Sequence, residues 1–221
     1  MQVCGQLRVL ASVNAQVISL AQARRDLAER RQPVPPAAFY FDLGDPFTYL
    51  AAERVHRALP GADWVPTAQT GFHRGPQRSG RAGFQLVTDR ARALDMPLAW
   101  PDVPGRGAAA ANRAATYAAE RGQGAEFALA ASRLAYCGGF DLGSPEVLAE
   151  AAAAATVDLD GCLRAARDLR RDRALEHAAR SLLAGGAHVL PTLSVGARLF
   201  AGEERLAAAL ACVRGELTAA P

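Results

Sequence analysis

The chain of 221 residues contains no lysine; all 25 of its basic residues are arginine. That absence excludes Schiff-base chemistry and the lysine of a phosphate-binding loop. Isoleucine occurs once, at Ile18, while alanine is abundant. The pattern reads as GC-rich coding bias, so a single Arg or Ala carries less meaning than usual. The four cysteines (Cys4, Cys137, Cys162, Cys212) are widely spaced, with neither a Cys-x-x-Cys pair nor a zinc-like pair among them. No metal site is expected, and a reduced, cytoplasmic setting suits such cysteines. No apolar run is long enough to span a membrane. Leu7 to Ala23 is mildly apolar, but Asn14, Gln16 and Gln22 interrupt it, and Arg8 is the only basic residue near its start. It makes a poor secretory signal. The net charge is only +3 and the charged residues are scattered, so nucleic acid and membrane are not expected partners. A small molecule is.

The rest of the chain is organised around Ala38 to Tyr49. Ala38 to Leu43 reads as a strand buried on both faces, interrupted by Asp42. It stops at Gly44, and Asp45-Pro46 opens a helix running to about Leu59. Aspartate is a favoured N-cap because its carboxylate accepts orphan amides of the first turn, and proline suits the first helical position. The unit places a helix start at the carboxyl end of a strand, where open α/β sheets bind ligands and where the helix dipole favours an anion.

The remaining elements follow in order. Residues 1–36 read as an N-terminal extension. They hold either an amphipathic helix from Val9 to Arg31 with a proline linker at Pro33 to Pro36, or a disordered tail or an upstream start. After the 46–59 helix, Ala62 to Thr67 reads as a second strand, which completes a right-handed βαβ unit. Gly71 to Gly83 reads as a loop and Phe84 to Leu94 as a helix, with Met96 to Pro101 extended. Helices are expected over 108–121, 126–137, 145–155, 161–170 and 172–184, the last closed by Gly185-Gly186. Val189 to Val195 and Arg198 to Ala201 form a hairpin about Gly196-Ala197, and Glu203 to Arg214 is the closing helix. The order βαβ, helices, then ββα is that of a thioredoxin-like α/β fold with a large all-helical insertion. Residues 37–72 and 186–221 make the thioredoxin-like part, and 73–185 the inserted helical domain.

Phe-Tyr-Phe-Asp-x-x-x-Pro-Phe-x-Tyr-Leu-Ala at 39–51 resembles the opening of the DsbA-like thioredoxin superfamily. It is most similar to the branch of 2-hydroxychromene-2-carboxylate isomerases and kappa-class glutathione transferases. Val189-Leu190-Pro191-Thr192, and Leu199 to Leu206 after it, resemble that branch's cis-proline loop and its Gly-x-Asp-Arg-Leu segment. Trp100-Pro101 and the helix start at Pro145 fit as well. The resemblance covers roughly residues 38–215. It implies a cis Leu190–Pro191 bond, with the backbone of Leu190 offered to the peptide part of a thiol ligand. It also implies glutathione or another low-molecular-weight thiol as co-substrate, with its γ-glutamyl end near Glu203 and Glu204, and a homodimer.

The resemblance breaks at Asp45. Dithiol members carry their first cysteine there and their second where Thr48 stands, while the isomerases and kappa transferases carry a serine at the place of Asp45. With no thiolate available, dithiol–disulfide exchange at this motif is ruled out. A charged Asp45 would also repel a thiolate at the helix start. Three readings of Asp45 stay open: a helix cap, a general acid or base, and a lapsed site that binds without catalysing. Thr48 either donates its hydroxyl to a ligand or packs within its helix. Glu203 and Glu204 either contact the thiol ligand or serve as first-turn acids. His73 and His188 titrate near the site or sit at the surface, and Trp100 walls a hydrophobic pocket or joins the core. The expected function is a thiol-dependent isomerase or transferase acting on an aromatic or ring-opened small molecule. A DsbA-type disulfide oxidoreductase and a non-catalytic binding module are the alternatives.

Overall fold

The computed structural model describes residues 35–72 and 80–215. The expected 9–31 helix, Cys4 and His73 lie outside them. A four-stranded sheet is built from β1 (Ala37–Phe41), β2 (Asp63–Pro66), β3 (Thr192–Val195) and β4 (Arg198–Ala201). Its order is β2-β1-β3-β4. β1 pairs with β2 in parallel, Phe39 opposite Trp64, and with β3 antiparallel, Phe39 opposite Leu193. β3 and β4 form the antiparallel hairpin, Leu193 opposite Phe200.

Helix α1 (Pro46–Ala58) connects β1 to β2. Between β2 and β3 the chain runs through α2 (Gly80–Ala93), α3 (Ala108–Ala119), α4 (Gly124–Tyr136), α5 (Pro145–Ala154), α6 (Leu159–Arg167) and α7 (Asp172–Ala184). A 3-10 turn at Glu203–Arg205 leads into α8 (Leu206–Val213). Capping explains several starts. Asp45 Oδ1 accepts from the Phe47 amide at 3.0 Å and Asp158 Oδ2 from that of Gly161 at 2.7 Å. Ser144 caps α5, with Pro145 at its first position.

The structure moves some expected boundaries. β1 ends at Phe41 rather than Leu43, because Asp42 turns the chain and its Oδ1 takes the Gly44 amide. β1 is not buried on both faces either: Phe39 and Phe41 are sealed, whereas Ala38 and Tyr40 are half-buried. Phe39 and Phe41 face the main core, with Trp64 edge-on to both. Tyr40 faces a smaller cluster of Phe72, Ala179, Leu182 and Leu190 that covers the second side. α2 begins at Gly80 rather than Phe84, and α6 at Leu159 rather than 161, where its Asp158 cap puts it. β3 starts only at Thr192, after a Leu190–Pro191 bond that is cis.

The main core does not stop where the inserted helices begin. Buried side chains run continuously from Phe39, Leu50 and Val55 to Phe127, Leu148 and Cys162. Fully burying a Phe or Leu stabilises by about 1.5–3 kcal/mol, so the sheet and the helices stabilise one another.

Candidate functional site

The carboxyl end of β1 opens on a cleft of about 720 Å³. The β1–α1 turn supplies one wall through Gly44, Asp45, Pro46 and Phe47, and Val189 and Leu190 before the cis-proline supply a second. Gly83, Phe84 and Val87 of α2 form the third with Trp100, and Gln69, Gly80 and Pro104 complete the lining. Phe84 and Trp100 meet edge to face, ring centroids 4.6 Å apart, and Trp100 also stands at right angles to Tyr136. Offset aromatic contacts of this kind make a stiff apolar wall.

The β1–α1 turn is closed on itself. The Leu43 amide donates to Asn112 Oδ1 at 3.0 Å and the Gly44 amide to Asp42 Oδ1 at 2.6 Å. Asp45 N donates to the Asp42 carbonyl, Thr48 N to the Asp45 carbonyl, and Phe47 N to the Asp45 carboxylate. Pro46 has no N–H. Every backbone donor from Leu43 to Thr48 therefore has an acceptor within the chain. Gly44 is required by packing: a Cβ there would lie 2.6 Å from the Ala108 Cβ and 3.0 Å from Asp42 Oδ1. The start of α3 thus holds the turn from behind, both through Ala108 and through Asn112.

The expected site residues divide into two groups. Asp45 and Leu190 line the cleft; Asp45 is 7% exposed. Pro191 is buried just behind Leu190, and its carbonyl accepts from the Gly202 amide at 2.8 Å. Thr48, Glu203 and Glu204 do not line the cleft. Thr48 is fully buried and its hydroxyl has no hydrogen-bond partner among the described residues. Glu203, 2% exposed, spends its carboxylate on two guanidinium groups. Arg54 of α1 donates to Oε1, while Arg90 of α2 donates to Oε2 at 2.7 Å and to Oε1 at 3.1 Å. Burial, then the charge of Arg90, pulls the Arg54 guanidinium down to about 10, which leaves it protonated at neutral pH. Glu204 is exposed, its carboxylate lying over Gly202, where φ is +94° and a Cβ would come within 2.4 Å of Glu204 Oε1. His188 is exposed and does not line the cleft.

Farther along α1, the buried Tyr49 hydroxyl donates to the Pro97 carbonyl at 2.6 Å. Burial, reinforced by Cys137 and Glu53, pushes its pKa up to about 12. That bond ties the extended 96–101 segment, and so Trp100, to α1. Sequence reasoning missed Asp42, Gln69, Phe84 and Asn112 as parts of the site. Phe84 carried a signal in its helical spacing; Gln69 and Asn112 carried none, since each is a lone amide in an unremarkable context. Among the described residues no group of three or more His, Cys, Asp and Glu could hold a metal ion, and no helix is long and apolar enough to cross a membrane.

Neither family models nor curated proteins match the chain in sequence. Solved structures do match in fold. 2-Hydroxychromene-2-carboxylate isomerase superposes with a TM-score of 0.65 at 16% identity, over 83% of this chain and 100% of its own. A probable DsbA oxidoreductase from Streptomyces coelicolor gives 0.58 at 19% identity, over 85% and 93%. The cytosolic disulfide reductase DsbM from Pseudomonas aeruginosa, solved with GSH, gives 0.58 at 16% identity, over 81% and 99%. The chain shares the thioredoxin-like fold of these structures. At these identities the likeness speaks for fold alone.

Proposed function

We propose that the protein is a cytoplasmic, thiol-dependent isomerase or transferase acting on an aromatic or ring-opened small molecule, with glutathione or another low-molecular-weight thiol as co-substrate. One observation carries the reading: a single cleft joins the start of α1, the backbone of Leu190 before a cis-proline, and a wall of Phe84 and Trp100. Concave, largely apolar clefts with a few polar groups are the usual form of small-molecule sites. The cysteinyl part of the thiol pairs with Leu190, its sulfur lies beside Asp45, and the hydrophobic substrate rests on the aromatic wall. Asp45 then serves as the proton acceptor. The missing Cys-x-x-Cys sets disulfide exchange at this motif aside. A homodimer belongs to the same proposal.

Calorimetric titration with glutathione, on the native protein and on Asp45→Ser, tests it. Binding of the native protein between the micromolar and millimolar range is the expected result. No binding by the native protein, with binding gained by Asp45→Ser, overturns the thiol reading.

A further inference from the structure

A second concavity, an open groove of about 830 Å³, is lined from the end of α3, from α6 and from the 3-10 turn Leu169–Arg171. It shares no lining residue with the cleft at the start of α1. Five arginines line it: Arg121, Arg164, Arg167, Arg170 and Arg171. Three carboxylates pair with four of them. Glu120 holds Arg171 through bonds of 2.8 and 3.2 Å and lies 3.9 Å from Arg121. Asp168 holds Arg170, and Asp158 stands 4.0 Å from Arg164. Arg167 has no such partner among the described residues, so five cations against three anions leave two positive charges in excess. The guanidinium groups on the α3 side are fixed in place. Arg121 lies over the Tyr117 ring, 3.4 Å from its centroid, and donates to the Tyr117 carbonyl at 3.3 Å. Arg171 stands 5.5 Å from the same ring and donates to Thr116 Oγ1 at 3.1 Å. Tyr117 is itself clamped, since a Cβ at Gly161 would collide with its hydroxyl. The Nε of Arg171 is buried and has no acceptor among the described residues, a donor that costs stability until an oxygen meets it.

We propose that this groove binds an anion carrying phosphoryl groups, with Arg164 and Arg167 supplying the charge in excess and Arg121 and Arg171 the donors already in position. The planar guanidinium fork matches phosphate oxygens bidentately, and groups fixed before binding lose little entropy on it. A ligand with at least two negative charges balances the two in excess, which a diphosphate does and a monocarboxylate does not. The inference goes beyond the thiol reading and does not rest on it.

Calorimetric titration of the full chain at low ionic strength, with pyrophosphate, ADP and malonate as probes, tests it. Pyrophosphate binds the native protein with a Kd below about 1 mM, and malonate, a dicarboxylate, binds about tenfold or more weakly. Arg167→Gln weakens pyrophosphate binding about threefold or more, and Arg164→Gln combined with Arg167→Gln about tenfold or more. Both side chains are exposed, so neither substitution disturbs the core. Arg92→Gln on α2, an exposed arginine outside the groove, removes the same charge and leaves the affinity within about twofold. The inference is overturned if pyrophosphate does not bind below about 10 mM, if malonate binds as tightly, or if Arg92→Gln weakens binding as much as Arg167→Gln, which would reduce the effect to net charge. With the inference standing, tighter binding of ADP than of pyrophosphate identifies a phosphorylated organic molecule as the ligand, and equal or weaker binding identifies the free phosphate chain. Its failure is separable from that of the thiol reading. Glutathione binding without pyrophosphate binding leaves only the thiol reading standing, and the expected pyrophosphate results without glutathione binding leave only this inference.

Discussion

Asp45 and Glu203 are both buried carboxylates, 7% and 2% exposed, and both occupy turns that open helical segments. Their neighbours differ. Asp45 accepts a backbone amide of its own helix and lines the cleft. Glu203 is held by Arg54 and Arg90, side chains from two different helices, and lies outside the lining. A carboxylate in the lining of a cleft stands where a ligand would meet it. One satisfied by two long-range guanidinium groups is committed to holding α1, α2 and the Gly202–Arg205 segment together, and through α2 it steadies the wall that carries Phe84.

The largest test of that contrast is Glu203→Ala. It leaves two partly buried guanidinium groups without their partner, and breaking a buried pair costs about 3 kcal/mol or more. Urea unfolding should show that loss, and a cost under about 1 kcal/mol would mean that the three elements are held by packing instead. Asp45→Ala comes next, at about 1 kcal/mol, the usual cost of losing an N-cap; Asp45→Asn, which retains the cap, should cost no more than a few tenths. Equal losses for Ala and Asn would show that charge rather than capping makes Asp45 stabilising.

Glu53, on the same helix as Asp45, sharpens the comparison at its weak end. It pairs with Arg133 at 2.5 Å, but the arginine is 56% exposed, so Glu53→Gln should cost about 0.5 kcal/mol or less. The hydrogen bond from Arg133 is the main reason the Glu53 carboxyl titrates below its ordinary 4.5. Because the folded value is depressed, the stabilisation is present above pH 4.5 and is lost as the pH falls through the folded value. Acid titration of stability should therefore show native and Glu53→Gln proteins converging below that range. A difference that persists in strong acid would assign the effect to packing.

Local chemistry was legible in the chain. Asp45-Pro46 and Ser144-Pro145 announced two helix starts, because a cap acts within three residues of itself. The hairpin about Gly196-Ala197 and the order of strands and helices were legible for the same reason, and the thioredoxin-like fold followed from that order. The edges of β1 were harder to read. An apolar run does not say that Asp42 will turn back to accept the Gly44 amide, or that one face of the strand is covered more fully than the other.

The sequence by itself thus determined the fold class, the position of the cleft at the start of α1, and the absence of a thiol from it. The tertiary structure alone decided what the polar residues do there. Whether Glu203 meets a ligand or two arginines depends on Arg54 and Arg90, which are 149 and 113 residues away along the chain. Whether the helix start can receive an anion depends in part on Asn112, which reaches Leu43 across a separation of 69. Partners that far apart in sequence leave no periodicity or spacing to read, since only the closed fold brings them within hydrogen-bonding distance.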